Sequence, residues 1–145
     1  LVFSPITQME AAVKSFMSCL IVFLLSVFAF GDGPGGPPPA PSWTNLNGES
    51  GVTEGVTYLE CDGDCINLVP GQYPVMLCVE ADGSGENAEV IDWDNFNAQA
   101  GGTLHAGFTE WCGQNLPPAT NGWTFFLVIV VGDDEIVSGT TWVSK

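Results

Sequence analysis

The sequence predicts an all-β protein: an antiparallel β-sandwich, immunoglobulin-like or jelly-roll-like, of about seven strands, stabilised by disulfide bonds. Three observations lead to this prediction. From residue 56 onward, short β-prone runs alternate with turn-forming residues. Apolar residues at helical spacing are scarce. Finally, an even number of cysteines follows an N-terminal segment typical of exported chains.

Residues 1–31 are predicted to be an N-terminal extension and a secretory signal peptide. Lys14 supplies a positive charge, and residues 16–30 form an apolar run. Ala29 and Gly31 are small residues at the end of that run, where a signal peptidase cleaves. A membrane anchor is the alternative, but a spanning helix needs about 20 apolar residues. We therefore expect a secreted, extracellular protein without membrane contact after cleavage.

Residues 32–50 are predicted to be a flexible Pro/Gly-rich linker, and residues 51–145 the acidic β-sandwich domain. The linker prediction depends on residues 32–42, where proline removes backbone donors and glycine resists ordering. The next residues, 43–55, are polar and rich in Gly and Asn. Within them we expect one short edge strand, at residues 43–46.

The charge of the chain excludes several partners. It has 17 acidic residues and 2 basic ones, a net charge of −15. Nucleic-acid binding needs Lys and Arg to displace phosphate counterions, so it is excluded. Anionic lipid surfaces are disfavoured for the same reason. The charge suits a solvated surface or bound Ca²⁺, which is the one cofactor that the sequence indicates.

The remaining strands are predicted from runs of β-prone residues. They cover residues 56–60, 66–69, 73–80, 89–93, 103–112, 123–131 and 135–143. In residues 73–80, Val75, Leu77 and Val79 alternate with Met76 and Cys78, which indicates one face for each group.

Residues 123–131 are apolar at every position but one, which is typical of a strand buried on both sides. Such a strand could also complete the sheet of a neighbouring molecule by strand addition. The residues predicted to form this assembly strand are Phe125, Leu127, Ile129 and Val131.

Four cysteines lie beyond the predicted signal peptide, and export favours their oxidation to two disulfides. Three pairings exist, of which Cys61–Cys65 and Cys78–Cys112 are favoured. The first would close a short Asp-Gly-Asp loop, and the second would tie two strands across the core. A zinc site that includes His105 is the alternative, but no Cys-x-x-Cys repeat supports it.

Calcium is predicted from acidic residues in turn-like segments. Hard cations prefer six to eight oxygen ligands on flexible backbone. The candidate ligands are Asp62, Asp64, Asp92, Asp94, Asp133 and Asp134.

No catalytic set stands out. His105 has no evident nucleophile as partner, and there is no Gly-x-Ser-x-Gly motif. Glycoside hydrolysis needs two carboxyl groups at a cleft. Glu110 beside Trp111, and Asp92 and Asp94 on either side of Trp93, could be arranged in this way, but their spacing does not single them out. Core packing explains most of the five tryptophans, and Trp93 and Trp111 are the two predicted to contact a ligand such as a sugar. The sequence therefore predicts a non-enzymatic domain for adhesion or recognition of an extracellular protein or glycan. The alternative is a structural subunit of an extracellular filament or matrix.

Overall fold

The computed structural model describes residues 36–145, and every regular element in that part of the chain is a β-strand. The predicted signal peptide lies outside the described residues. The eight strands found there are β1 Ser42–Thr53, β2 Val56–Ile66, β3 Gly71–Ala81, β4 Glu89–Ala98, β5 Leu104–Trp111, β6 Gly122–Val131, β7 Asp134–Val137 and β8 Thr141–Ser144. None of the described residues forms a helix long and apolar enough to span a bilayer.

The strands form two antiparallel sheets. The smaller sheet has the order β1-β2-β5. The larger has the order β4-β3-β6-β7, and β8 also pairs with β6 beyond the end of β7. Both sheets contribute to one hydrophobic core, so the arrangement is the predicted antiparallel sandwich.

The core lies between the inward faces of the two sheets. Leu59 and Cys61 of β2 face Leu77 of β3 and Phe125 and Leu127 of β6, and all five are fully buried. The predicted alternation in β3 is confirmed, because Val75, Leu77 and Val79 belong to this core whereas Met76 and Cys78 do not.

Two large tryptophans also contribute to the core. Trp123 is fully buried, and its indole N–H donates to the carbonyl of Pro117. Trp43 is partly buried and donates to the carbonyl of Ile136. Both polar groups are therefore satisfied.

The first hairpin was not expected from the sequence. β1 and β2 pair from Thr53↔Val56 back to Ser42↔Ile66 through a two-residue turn, Glu54 and Gly55, with φ of 53° and 80°. Positive φ at both positions is typical of a type I′ hairpin turn. The linker predicted for residues 32–50 thus overlaps much of β1.

Gly48 lets β1 lie close to the larger sheet. A Cβ atom at this position would come within 2.4 Å of Phe125 and 2.6 Å of Val143. The absence of a side chain is therefore what allows the aromatic ring of Phe125 to pack under β1.

The disulfide prediction needs correction, because the four cysteines in the described residues are unbonded thiols. Cys61 and Cys65 lie four residues apart in the same extended strand, which separates their Cα atoms by about 13 Å. A disulfide requires less than about 7 Å. Cys78 faces away from the core, whereas Cys112 packs against it, so these two thiols lie on different sides of the larger sheet.

Strand β6 is paired along both edges, with β3 on one side and β7 and β8 on the other. Phe125, Leu127 and Ile129 are fully buried in the core, and Val131 packs against it. Strand addition through β6 would therefore require one of its neighbours to leave.

Candidate functional site

The outer surface of the smaller sheet brings polar side chains of three strands together. We call it the acidic face. It consists of the outward side chains of β1, β2 and β5: Asn45, Asn47, Glu49, Tyr58, Glu60, Asp62, Asp64, His105, Thr109 and Trp111. The face follows from strand alternation, because the intervening residues of β2 and β5 are buried.

One end of the acidic face is a hydrogen-bonded cluster around Asp64. Its carboxylate accepts from the amide of Asn45 at 3.0 Å and lies 2.8 Å from Nδ1 of His105. The hydrogen bond from Asn45, followed by that to His105, lowers the pKa of Asp64 below its ordinary value. His105 is 66% exposed, so its ring is also available to a ligand.

The middle of the face contains a shallow cleft of about 120 Å³. Its lining residues are Asn47, Gly48, Glu49, Glu60 and Asp62. The amide of Asn47 donates to Asp62 at 3.1 Å and fixes that carboxylate. Glu49 and Glu60 are direct cross-strand partners, so two like charges face each other across the sheet.

The other end of the face is aromatic. The rings of Tyr58 and Trp111 lie side by side, with centroids 5.3 Å apart and planes inclined by 49°. They are cross-strand partners on β2 and β5, and the Tyr58 ring extends over Gly51 of β1. Glycine is needed there, because a Cβ atom would come within 2.5 Å of the Tyr58 hydroxyl.

A second polar group lies at the edge where β4 and β5 meet. Glu110 points inward and is only 4% exposed, and its carboxyl group contacts that of Asp92. Burial and the hydrogen bond to Asp92 raise the pKa of Glu110 to about 7, against a smaller lowering by Asn115. The sequence did not single out Glu110 and Asp92 as a pair, and the structure brings their carboxyl groups into contact.

The predicted calcium ligands are distributed over three places. Asp62 and Asp64 lie on the acidic face, Asp92 and Asp94 on β4, and Asp133 and Asp134 at the turn between β6 and β7. Within residues 36–145, no three His, Cys, Asp or Glu side chains gather in a geometry that could hold a metal ion. Calcium binding stays a prediction.

The two predicted ligand-contact tryptophans are on opposite sides of the sandwich. Trp111 belongs to the acidic face, whereas Trp93 is the cross-strand partner of Met76 on the outer face of the larger sheet. Sequence reasoning missed Tyr58, Asn47, Glu49 and Glu60. The signal was present, since Tyr58, Glu60, Asp62 and Asp64 alternate with apolar or small residues.

The buried thiols are poor nucleophiles. Burial raises the pKa of Cys65 and of Cys78 to about 11, and it raises that of Cys61 further, with the charge of Glu110 adding to the effect. Their environment disfavours the reactive thiolate.

Neither a protein-family model nor a curated protein matches the sequence. Similar solved structures include the β-glucosidase of Listeria innocua in complex with glucose, at 12% identity and a TM-score of 0.37 over 73% of this chain and 16% of that chain. Another is the β-glucosidase of Kluyveromyces marxianus, at 12% identity and a TM-score of 0.35 over 70% of this chain and 15% of that chain. The matched region is thus a small part of either enzyme. At these TM-scores the likeness supports no inference about the function of this chain.

Proposed function

We propose that this protein is a secreted, non-enzymatic recognition domain that binds a glycan on its acidic face. The observation that supports the proposal is the Tyr58–Trp111 pair, which adjoins a row of carboxylate and amide side chains on the same flat sheet. An aromatic pair on an outer face does not contribute to the core between the sheets.

The chemistry of the face suits a sugar. The C–H groups of a pyranose ring pack against aromatic side chains, which supply apolar contact area. The ring hydroxyls then need acceptors and donors near that contact. Glu60 and Asp62 offer acceptors, Asn47 offers both kinds of group, and Thr109 adds a hydroxyl.

The negative charge of the protein restricts the class of glycan that can bind to the acidic face. The acidic face carries four carboxylates, and the whole chain has a net charge of −15. Sulfated or uronate-rich chains would be repelled, so the expected ligands are neutral polysaccharides.

Isothermal titration with soluble neutral oligosaccharides, such as β-glucan and xylan fragments, tests this proposal. Trp111→Ala and Tyr58→Ala should each weaken binding about tenfold or more, because a stacking contact is lost. Trp142→Ala is the matched control, since Trp142 is 49% exposed on the opposite side of the sandwich. Equal binding by all three variants would remove the acidic face from consideration.

A further inference from the structure

The outer surface of the larger sheet is apolar across its width, and we call it the apolar face. One row of cross-strand partners runs Trp93, Met76, Val128 and Val137 over β4, β3, β6 and β7. The row beside it runs Val90, Cys78 and Phe126. Trp142 of β8, which is the partner of Thr124, extends this surface.

The apolar face is open to solvent at its margins and closed at its centre. Val137, Trp142 and Trp93 are 56%, 49% and 37% exposed, whereas Val128 and Cys78 are each 5% exposed. These side chains do not belong to the core between the sheets. The exposed apolar side chains therefore lie at opposite margins, on β4 and on β7 and β8, with the closed apolar centre between them. Exposed apolar surface rimmed by polar residues is typical of an interaction site.

We infer that the apolar face pairs two copies of this chain face to face. The first argument is charge. Two molecules that each carry −15 repel, so they can approach closely only through a surface without carboxylates at its centre. The apolar face comes nearer to this condition than the acidic face, because Glu80 and Glu135 flank its two apolar rows by register. The Glu135 charge nevertheless reaches Cys78 and adds to the raised pKa of that thiol.

Glu80 is also turned away from the face. Its carboxylate accepts the backbone N–H groups of Gly85 at 2.6 Å and Asn87 at 3.2 Å, and it also accepts the side-chain amide of Asn87. These bonds hold the charge against the loop that follows β3. The acidic face, by contrast, has Glu49 opposite Glu60 and could not pair with itself.

The second argument is area. β4, β3, β6 and the successive strands β7 and β8 form four columns about 4.8 Å apart, and about seven residues of each column present roughly 450 Å² in projection. Two copies would bury roughly 900 Å² together, which is below the roughly 1,000 Å² expected of a stable specific interface. A contact of this size fits a weak, reversible dimer and not an obligate one, and we expect a Kd of about 10–100 µM.

Sedimentation velocity of the full chain at roughly 5–500 µM, which spans that Kd, tests the inference. The protein should dimerise, and the dimer should become tighter from about 0.05 M to about 0.5 M NaCl, because salt screens the repulsion. Val137→Glu should weaken association roughly tenfold or more, since it places a charge on the apolar face.

Val52→Glu is the matched control, because Val52 is 67% exposed near the β1–β2 turn and off the apolar face. Trp142→Ala is a second test variant, and melting curves check that each variant folds. Pairing through the apolar face is overturned if the wild-type chain stays monomeric in both salts. It is also overturned if Val52→Glu weakens association as much as Val137→Glu, because association then arises elsewhere in the chain.

Flotation with phosphatidylcholine vesicles completes the test. A chain that remains monomeric and floats with the vesicles, and loses this binding on Val137→Glu, would use the apolar face for lipid and not for a second copy. The inference does not depend on the proposed glycan binding, since Val137→Glu tests the apolar face and Tyr58→Ala and Trp111→Ala test the acidic face.

Discussion

Glu110 of β5 buries its carboxyl group against that of Asp92 of β4, so two acids meet at the edge that joins the two sheets. The folded pKa of Glu110, about 7, lies above its ordinary value of 4.5. Protonated Glu110 is therefore favoured by folding. The stability that protonation of Glu110 contributes is fully present below about pH 4.5, the ordinary pKa of the group. It is lost as the pH rises through about 7, the pKa of the group in the folded protein.

We expect Glu110→Gln to raise the melting temperature at pH 8 and to change it little at pH 4.5. The glutamine keeps the shape of the side chain and removes the buried charge, which is worth about 2 kcal/mol at the higher pH. Thermal unfolding across this range is the measurement. Glu86→Gln, on an exposed loop residue, is the control and should show no such dependence. A pH-independent effect of Glu110→Gln would contradict this account.

Because the carboxylates of Glu49 and Glu60 face each other, we expect a substitution of Glu49 to increase the stability of the fold and to lower its affinity for a glycan. Glu49→Lys converts a like-charge cross-strand pair into an opposite-charge pair and should stabilise the fold by about 0.5 kcal/mol. The same change alters the cleft on the acidic face, so glycan affinity should fall. Chemical denaturation and titration of the same variant measure both effects. A variant that is more stable and binds equally well would separate the cleft from the ligand site.

Ser138 lies between β7 and β8, and its side chain supplies a hydrogen bond to β6 at a position where no strand pairs with β6. Its hydroxyl accepts the backbone N–H of Leu127 at 2.8 Å in the gap between β7 and β8. Ser138→Ala leaves this buried N–H without its partner and should cost about 1–3 kcal/mol in the free energy of unfolding. Ser84→Ala, at an exposed loop position, should cost almost nothing. Urea denaturation compares the two, and equal losses would argue against the role of Ser138.

Because the four described cysteines are unbonded, we expect a reducing agent to leave the melting temperature unchanged. A disulfide would contribute about 2–4 kcal/mol, and its reduction would lower the melting temperature by several degrees. Thiol titration of the unfolded chain without reductant should accordingly detect Cys61, Cys65, Cys78 and Cys112. A large destabilisation by reductant would restore the disulfide prediction in some other pairing.

Calcium stabilisation is measured by melting in millimolar Ca²⁺ and in chelator at matched ionic strength. We expect Ca²⁺ to raise the melting temperature, because a divalent ion near Glu60 and Asp62 offsets the repulsion on the acidic face. Asp62→Asn should reduce the shift, whereas Asp133→Asn, at the distant β6–β7 turn, should not. An identical shift with NaCl would mean general screening only.

β3 and β6 of the larger sheet could be predicted because their sequences alternate or are almost continuously apolar. Residues 135–143 were predicted as one strand but form β7 and β8, and β4 extends beyond the predicted residue 93 to Ala98. β3 shows its two faces directly. β6 is apolar except at Thr124, since its inner side meets the core and its outer side forms the apolar face. Extending the alternation of Leu104, Ala106 and Phe108 by one position also places Glu110 inward.

The smaller sheet was harder to predict, because its strands contain residues with weak β propensity. Asp62, Gly63 and Asp64 are typical of a turn, yet β2 continues through them because β1 and β5 pair with it on both sides. β1 contains Gly48 and Gly51, whose roles depend on Phe125 and Tyr58. Such contacts between distant parts of the chain cannot be read from local pattern.

The two outer faces of a sandwich point in opposite directions. Copies joined through the apolar face would therefore present their two acidic faces outward, roughly back to back. Such a pair could not place both acidic faces on one flat surface at once. It would bridge separate particles or polymer chains, so the protein would act as a cross-linking agent whose effect, clumping, depends on its local concentration.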